Sequence, residues 1–212
     1  MLADLRKSCG KYGIKLVLYI SEGEFKDNAD YHPGGYTPAM KMAQLKELLT
    51  QYGPIEYIWF DHAQTDGGLS HQETLAWCKS FQPGCLIGYN HGDQQSADIR
   101  LGEMGKPGPL PDPKAAGQHM RNEPGKNYLL AEFTYPILPG HQGGAQWFYS
   151  LPEHDQLCQP AAKLYSDYLG AVKYGNIFSI DVGPDYQGKL RQIDVETLRK
   201  VGAMIKNPPP AE

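Results

Sequence analysis

The first chemical signal in the chain is a carboxylate, Asp61, that directly follows the uninterrupted apolar run Tyr57-Ile58-Trp59-Phe60. Beside two large aromatic residues, its ionised form is costly unless hydrogen-bond donors surround it. The bland alternative is an aspartate that caps the following turn. Paired carboxylates can hydrolyse a glycosidic bond, one attacking the anomeric carbon while the other protonates the leaving oxygen. Two residues compete for that second place. Glu103 ends Asp98-Ile99-Arg100-Leu101-Gly102-Glu103 within a long polar stretch, where a solvated surface role is the alternative. Glu132 follows the run Tyr128–Ala131, as at a strand end, where a structural carboxylate is the alternative.

Aromatic residues accompany the carboxylates. The chain holds Tyr 14, Trp 3 and Phe 6 together with Gly 24 and Pro 17, a composition that suits flat, partly apolar ligands as well as an aromatic core. Trp59 lies two residues before Asp61. Trp147-Phe148-Tyr149 can form a platform, an aromatic face against the C–H face of a pyranose with the Tyr149 hydroxyl on a sugar oxygen; otherwise the three are core residues of a short strand. His62 and His91 sit just past strand ends and can bond sugar hydroxyls. The cysteines Cys9, Cys78, Cys85 and Cys158 form no C-x-x-C pair and read as free thiols, and no metal or other cofactor is expected.

Strand and helix signals alternate along the elements that must position these groups. Leu2, Leu5 and Cys9 have helical spacing ending at Gly10 and Gly13, and residues 14–20 read as a buried strand. Thr37-Pro38 is a helix start, with Thr as N-cap and Pro at the first position. Residues 55–60 form the next strand. Ser70-His71-Gln72-Glu73 is a capping box for a helix ending near Gly84, and Cys85–Tyr89 is a further strand. Asn90–Lys126 reads as loop, Tyr128–Phe133 as strand, and Gln146–Ser150 as a short strand or functional loop. Cys158–Lys173 is helical, Asn176–Val182 is the last strand, and Asp194–Lys206 is the last helix. Strands separated by helices imply parallel βα units. The expectation is an α/β fold, a partial TIM-type (β/α) barrel of about five parallel strands in one domain over 1–212. No G-x-G-x-x-G follows a strand and no Walker motif occurs.

With 212 residues, 41% of them hydrophobic, and a net charge of −4, the chain can bury a sizeable core and shows no basic excess for nucleic acid. No apolar run approaches the roughly 20 residues of a membrane span, and Met1–Lys7 carries no leader-like apolar segment. Neither nucleic acid nor membrane is an expected partner.

Four stretches together resemble the catalytic domain of α-L-fucosidases, glycoside hydrolase family 29. Residues 13–21, GIKLVLYIS, are similar to the family's GLKFGLYYS strand. Tyr52-Gly53-Pro54-Ile55 through Ile58-Trp59-Phe60-Asp61 is similar to YGPI..IWFDG. Ala131-Glu132 through Trp147-Phe148-Tyr149 resembles AE…I.PGWFY, and residues 175–185 with Gly188 resemble GNLLLNVGPDxxG. The resemblance implies a retaining fucosidase acting on fucosylated glycans. Asp61 would be its nucleophile and Glu103 its acid/base, by likeness to a DIRWVGNE segment, with Glu132 as the rival. Trp147 would belong to the fucose pocket, and the residue patterns themselves add Trp59, His62, His91, Glu132 and Tyr149 as further candidate substrate contacts. His62 departs from the family, replacing the usual Gly after the nucleophile. The family's earlier strands, with their His-His-Asp-Gly segment, and its following β-sandwich have no counterpart. A non-catalytic remnant that binds sugar weakly or serves only in assembly is therefore the alternative. The uncovered edges at Leu16–Ile20 or Ile177–Val182 lead to an expectation of homo-oligomers.

Overall fold

A computed structural model describes residues 1–22, 37–63, 68–91, 96–103, 130–140, 144–173 and 175–209. They fall into two compact units, residues 1–101 and residues 102–103 with 131–209.

The first unit opens with α1 (Leu2–Tyr12), which ends on Gly13 at φ 67, a left-handed position that glycine takes without strain. Strand β1 (Val17–Ser21) leads to α2 (Pro38–Gln51), whose first turn is closed by the Thr37 side chain accepting from the Met40 N–H. Strand β2 (Tyr57–Asp61) precedes α3 (His71–Phe81), which starts on the expected capping box: Ser70 accepts from the Glu73 N–H and Glu73 accepts from the Ser70 N–H. Strand β3 (Leu86–Tyr89) is followed by a two-residue strand β4 (Ile99–Arg100). All pairings here are parallel and in chain order, with Tyr19 opposite Trp59, Ser21 opposite Asp61 and Phe60 opposite Tyr89. Alternation splits β2 cleanly. Ile58 and Phe60, both 0% exposed, join the core with Leu45, Leu49, Cys78 and Ile87, while Tyr57, Trp59 and Asp61 take the opposite face.

The second unit contains β5 (Leu130–Pro136), a short helix α4 (Gly144–Trp147), a 3-10 turn (Pro152–His154), α5 (Ala161–Val172), β6 (Ile177–Asp181) and α6 (Gln192–Lys206). β5 and β6 run parallel, with Thr134 opposite Ser179. Arg191, just before α6, grips Asp194 through two hydrogen bonds of 2.8 and 2.7 Å and donates to the His154 carbonyl, fixing the helix start to the 3-10 turn.

Several expectations are corrected. There are six strands among the described residues rather than five, because β4 lies inside the expected loop. Of the stretch Gln146–Ser150, expected as a short strand or functional loop, Gln146 and Trp147 end a short helix and no strand forms, and α5 begins at Ala161, where Pro160 ends the extended segment. Glu132 lies inside β5, not at its end, because the strand continues to Pro136. β1 is not buried on both faces: Val17 is 38% and Tyr19 48% exposed. No helix among the described residues is long and apolar enough to cross a membrane.

Candidate active site

The carboxyl ends of β1, β2 and β3 lie side by side, and their in-register pairing decides which side chains meet there. Asp61 is the last residue of β2. It is 6% exposed, and its carboxylate is ringed by donors. The Tyr19 hydroxyl donates to Oδ2 at 2.6 Å, while the His62 N–H and the Asn90 amide donate to Oδ1, each at 2.8 Å. These bonds offset the desolvation of the buried charge. Tyr19 can reach Asp61 because it lies on β1, two residues from Ser21, the register partner of Asp61. Its ring stacks on Trp59 at 5.5 Å and 20°. Asn90 arrives from the end of β3, its own N–H donating to the Phe60 carbonyl at 2.7 Å.

Behind this face the Asp61 carbonyl accepts the Glu22 N–H at 2.8 Å. Glu22 pairs with Lys41 at 2.5 Å, both side chains 1% exposed, and the Lys41 ammonium lies 5.5 Å from the centre of the Phe60 ring. This buried ion pair ties α2 to the end of β1.

His62 and His91 flank the carboxylate. Both have left-handed backbones, φ 50 and φ 64, and they are the non-glycine residues of positive φ among those described. His62 Nε2 is 3.5 Å from Asp61 Oδ2, and His91 Nδ1 is 3.8 Å from Oδ1. One donor atom from each of Asp61, His62 and His91 lies within 4.8 Å of the other two.

The second unit holds the remaining sequence-derived candidates. Glu103 is exposed. Glu132 is 3% exposed and accepts the Ser179 hydroxyl from the neighbouring strand. Trp147 is half-buried at the end of α4, and Phe148 and Tyr149 are 57% and 45% exposed. Their backbone packs against Gly183, where an added Cβ would lie 2.9 Å from the Tyr149 nitrogen, and Ser150 N–H donates to the Pro184 carbonyl. Glycine at 183 is what lets the aromatic segment sit this close. At the end of β6, burial pushes the Asp181 carboxyl up to about 6.

The structure thus brings Asp61, Trp59, His62 and His91 together within the first unit, and Glu132, Trp147 and Tyr149 belong with Glu103 to the second. Sequence reasoning missed Tyr19, Asn90 and Asp181. The signal for the first two was strand register: pairing of Ser21 with Asp61 brings Tyr19 within reach of it, and pairing of Phe60 with Tyr89 puts Asn90 beside Asp61.

A family model described as alpha-L-fucosidase matches residues 1–208. The chain is 25% identical to alpha-L-fucosidase 1 of Arabidopsis thaliana over 96% of its own length and 41% of that protein's. It is 26% identical to an alpha-L-fucosidase of Dictyostelium discoideum, covering 95% of the chain and 43% of the relative. The chain therefore spans about two fifths of the length of these relatives. Among solved structures, the alpha-L-fucosidase AlfC of Lactobacillus casei in complex with its alpha-L-fucose product superposes with TM-score 0.67 at 22% identity, over 97% of this chain and 64% of that one. Isoenzyme 1 of Paenibacillus thiaminolyticus gives TM-score 0.70 at 19% identity, over 98% and 52%. The fold of the chain is that of these barrel domains, an α/β arrangement carrying part of a TIM-type barrel.

Proposed function

The chain belongs to the alpha-L-fucosidase family, and from that premise we propose that it carries the nucleophile side of a retaining enzyme that releases fucose from fucosylated glycans. The observation that carries this reading is the Asp61 carboxylate. It sits at the carboxyl end of a buried parallel strand, where barrel enzymes place their catalytic residues. It is held by the three donors Tyr19, His62 N–H and Asn90, and it shares its strand face with Trp59.

Asp61 attacks the anomeric carbon and forms a covalent glycosyl-enzyme intermediate. Tyr19 and Asn90 keep its oxygens aimed along the line of attack and spread the charge until the bond forms. Trp59, on the same strand face, offers an apolar wall to the sugar ring, and His62 and His91 offer ring nitrogens to its hydroxyls. Glu103 protonates the leaving oxygen and then activates water, with Glu132 as the competing acid. The bond from Ser179 on the neighbouring strand and the position of Glu132 inside β5 favour a structural role for it. Trp147 and Tyr149 form the aromatic platform. Release of nitrophenol from an aryl α-L-fucoside, with β-fucoside as a control, tests the activity. Turnover specific for the α-L-fucoside supports the reading, and its absence in the folded protein turns the balance to a sugar-binding or assembly role.

β1 and β6 end the strand order, and self-association is proposed through the edge at Leu16–Ile20 or Ile177–Val182. Light scattering at low micromolar concentration checks it, a stable monomer being the contrary result.

A further inference from the structure

Asp61, His62 and His91 also form a donor set for a metal ion, which the hydrolytic reaction does not require. Register makes them meet. Phe60 on β2 pairs with Tyr89 on β3, so the residues two positions beyond each, His62 and His91, leave neighbouring strand ends side by side. Each then takes a left-handed backbone, and both imidazoles come to flank one carboxylate, His62 towards Oδ2 and His91 towards Oδ1. Their separations from it, 3.5 and 3.8 Å, exceed a normal hydrogen bond.

The chemistry of the set is specific. Two neutral imidazoles and one carboxylate suit late first-row divalent metals, whereas Mg²⁺ and Ca²⁺ favour all-oxygen cages. Around a tetrahedral ion with bonds of roughly 2.1 Å, neighbouring ligand atoms stand about 3.4 Å apart. The donor atoms here lie within 4.8 Å of one another, so closure requires small side-chain rotations. The rings can make them, since the His62 and His91 side chains are 41% and 52% exposed, while Asp61, the anchored member, is 9% exposed. That exposure also leaves room for water or a ligand atom at the remaining coordination positions.

We propose that Asp61, His62 and His91 bind one divalent late transition metal ion, such as Co²⁺, Ni²⁺ or Zn²⁺. Binding occupies a lone pair of the Asp61 carboxylate. On the fucoside reading above, the same ion therefore excludes the sugar and inhibits turnover reversibly. The site itself does not rest on that reading.

The test titrates the full chain with Co²⁺ followed by visible absorption, and with Ni²⁺ followed by calorimetry. The free cysteines are controlled for by the spectrum, because cobalt bound to nitrogen and oxygen lacks the intense near-ultraviolet thiolate band. The expected result is one equivalent of either ion without that band. His62→Gly and His91→Asn should each weaken binding at least tenfold, and the double variant should lose that equivalent. Glycine and asparagine both accept a left-handed backbone, so neither change threatens the fold. Absence of binding at millimolar metal, a thiolate spectrum for the bound ion, or an affinity unchanged in both variants overturns the proposal. Where the chain hydrolyses an aryl fucoside, Ni²⁺ should raise KM and a chelator should restore it. Where it does not, the titration still decides the site.

Discussion

Replacing Asp181 by Asn should make the protein more stable above pH 6, with the gain fading as pH falls towards 3.8. Burial at the end of β6 lifts this carboxyl from 3.8 to about 6, and its Oδ2 atom has no hydrogen-bond partner among the described residues. The folded state therefore holds the proton more tightly than the unfolded chain. The sign follows directly: the stability contributed by the protonated form is full below 3.8 and is lost as pH rises through about 6. A shift of roughly 2 units corresponds to at most about 3 kcal/mol, at 1.36 kcal/mol per unit. Because the side chain is partly exposed, solvent screening reduces this to about 1–2 kcal/mol. Asparagine keeps the shape and removes the charge. For a chain of this length the gain equals roughly 2–8 °C in Tm at pH 7.5, and about a third of that at pH 4.5. Thermal and urea unfolding of both proteins at the two pH values provides the check. An equal difference at both, or an Asp181→Asn variant less stable than the parent chain at pH 7.5, would refute the burial argument.

Three further outcomes follow from the geometry. Tyr19→Phe removes one hydroxyl, 2.6 Å from Asp61, while keeping the ring on Trp59; kcat/KM for an aryl fucoside should fall about 10- to 100-fold, as expected for one charge-assisted hydrogen bond, with little change in Tm. Gly88→Ala should destabilise the first unit by about 1–3 kcal/mol in urea unfolding, because the new Cβ would lie 2.6 Å from Cγ of the buried Leu101. Glu103→Ala should slow natural glycans far more than activated aryl fucosides, and kinetics on both substrate classes would expose the wrong choice if Glu132→Ala showed that pattern instead.

What the sequence made legible was local. Thr37-Pro38 and Ser70 through Glu73 mark helix starts through side-chain chemistry that acts within one turn, and both starts formed where read. Asp61 was legible because an apolar run ending in a carboxylate is itself a strand-end pattern. The surroundings of Asp61 were not, since Tyr19 and Asn90 reach it through parallel register, which no single segment encodes. β4 escaped notice because two residues carry no periodicity. The helix at residues 144–147 was hidden by aromatics that favour strands, and the start of α5 was misplaced by reading apolar spacing across Pro160. The buried Lys41–Glu22 pair likewise depends on α2 folding back over the end of β1.

The role of Asp61 is tested most directly by trapping the glycosyl-enzyme with a 2-deoxy-2-fluoro-fucosyl fluoride and mapping the label by peptide mass spectrometry. The expected result is one fluorofucosyl group per chain, on the peptide containing Asp61, and none in Asp61→Gly. Label on Glu103 or Glu132, or steady fucoside turnover by Asp61→Gly without added azide, would contradict it.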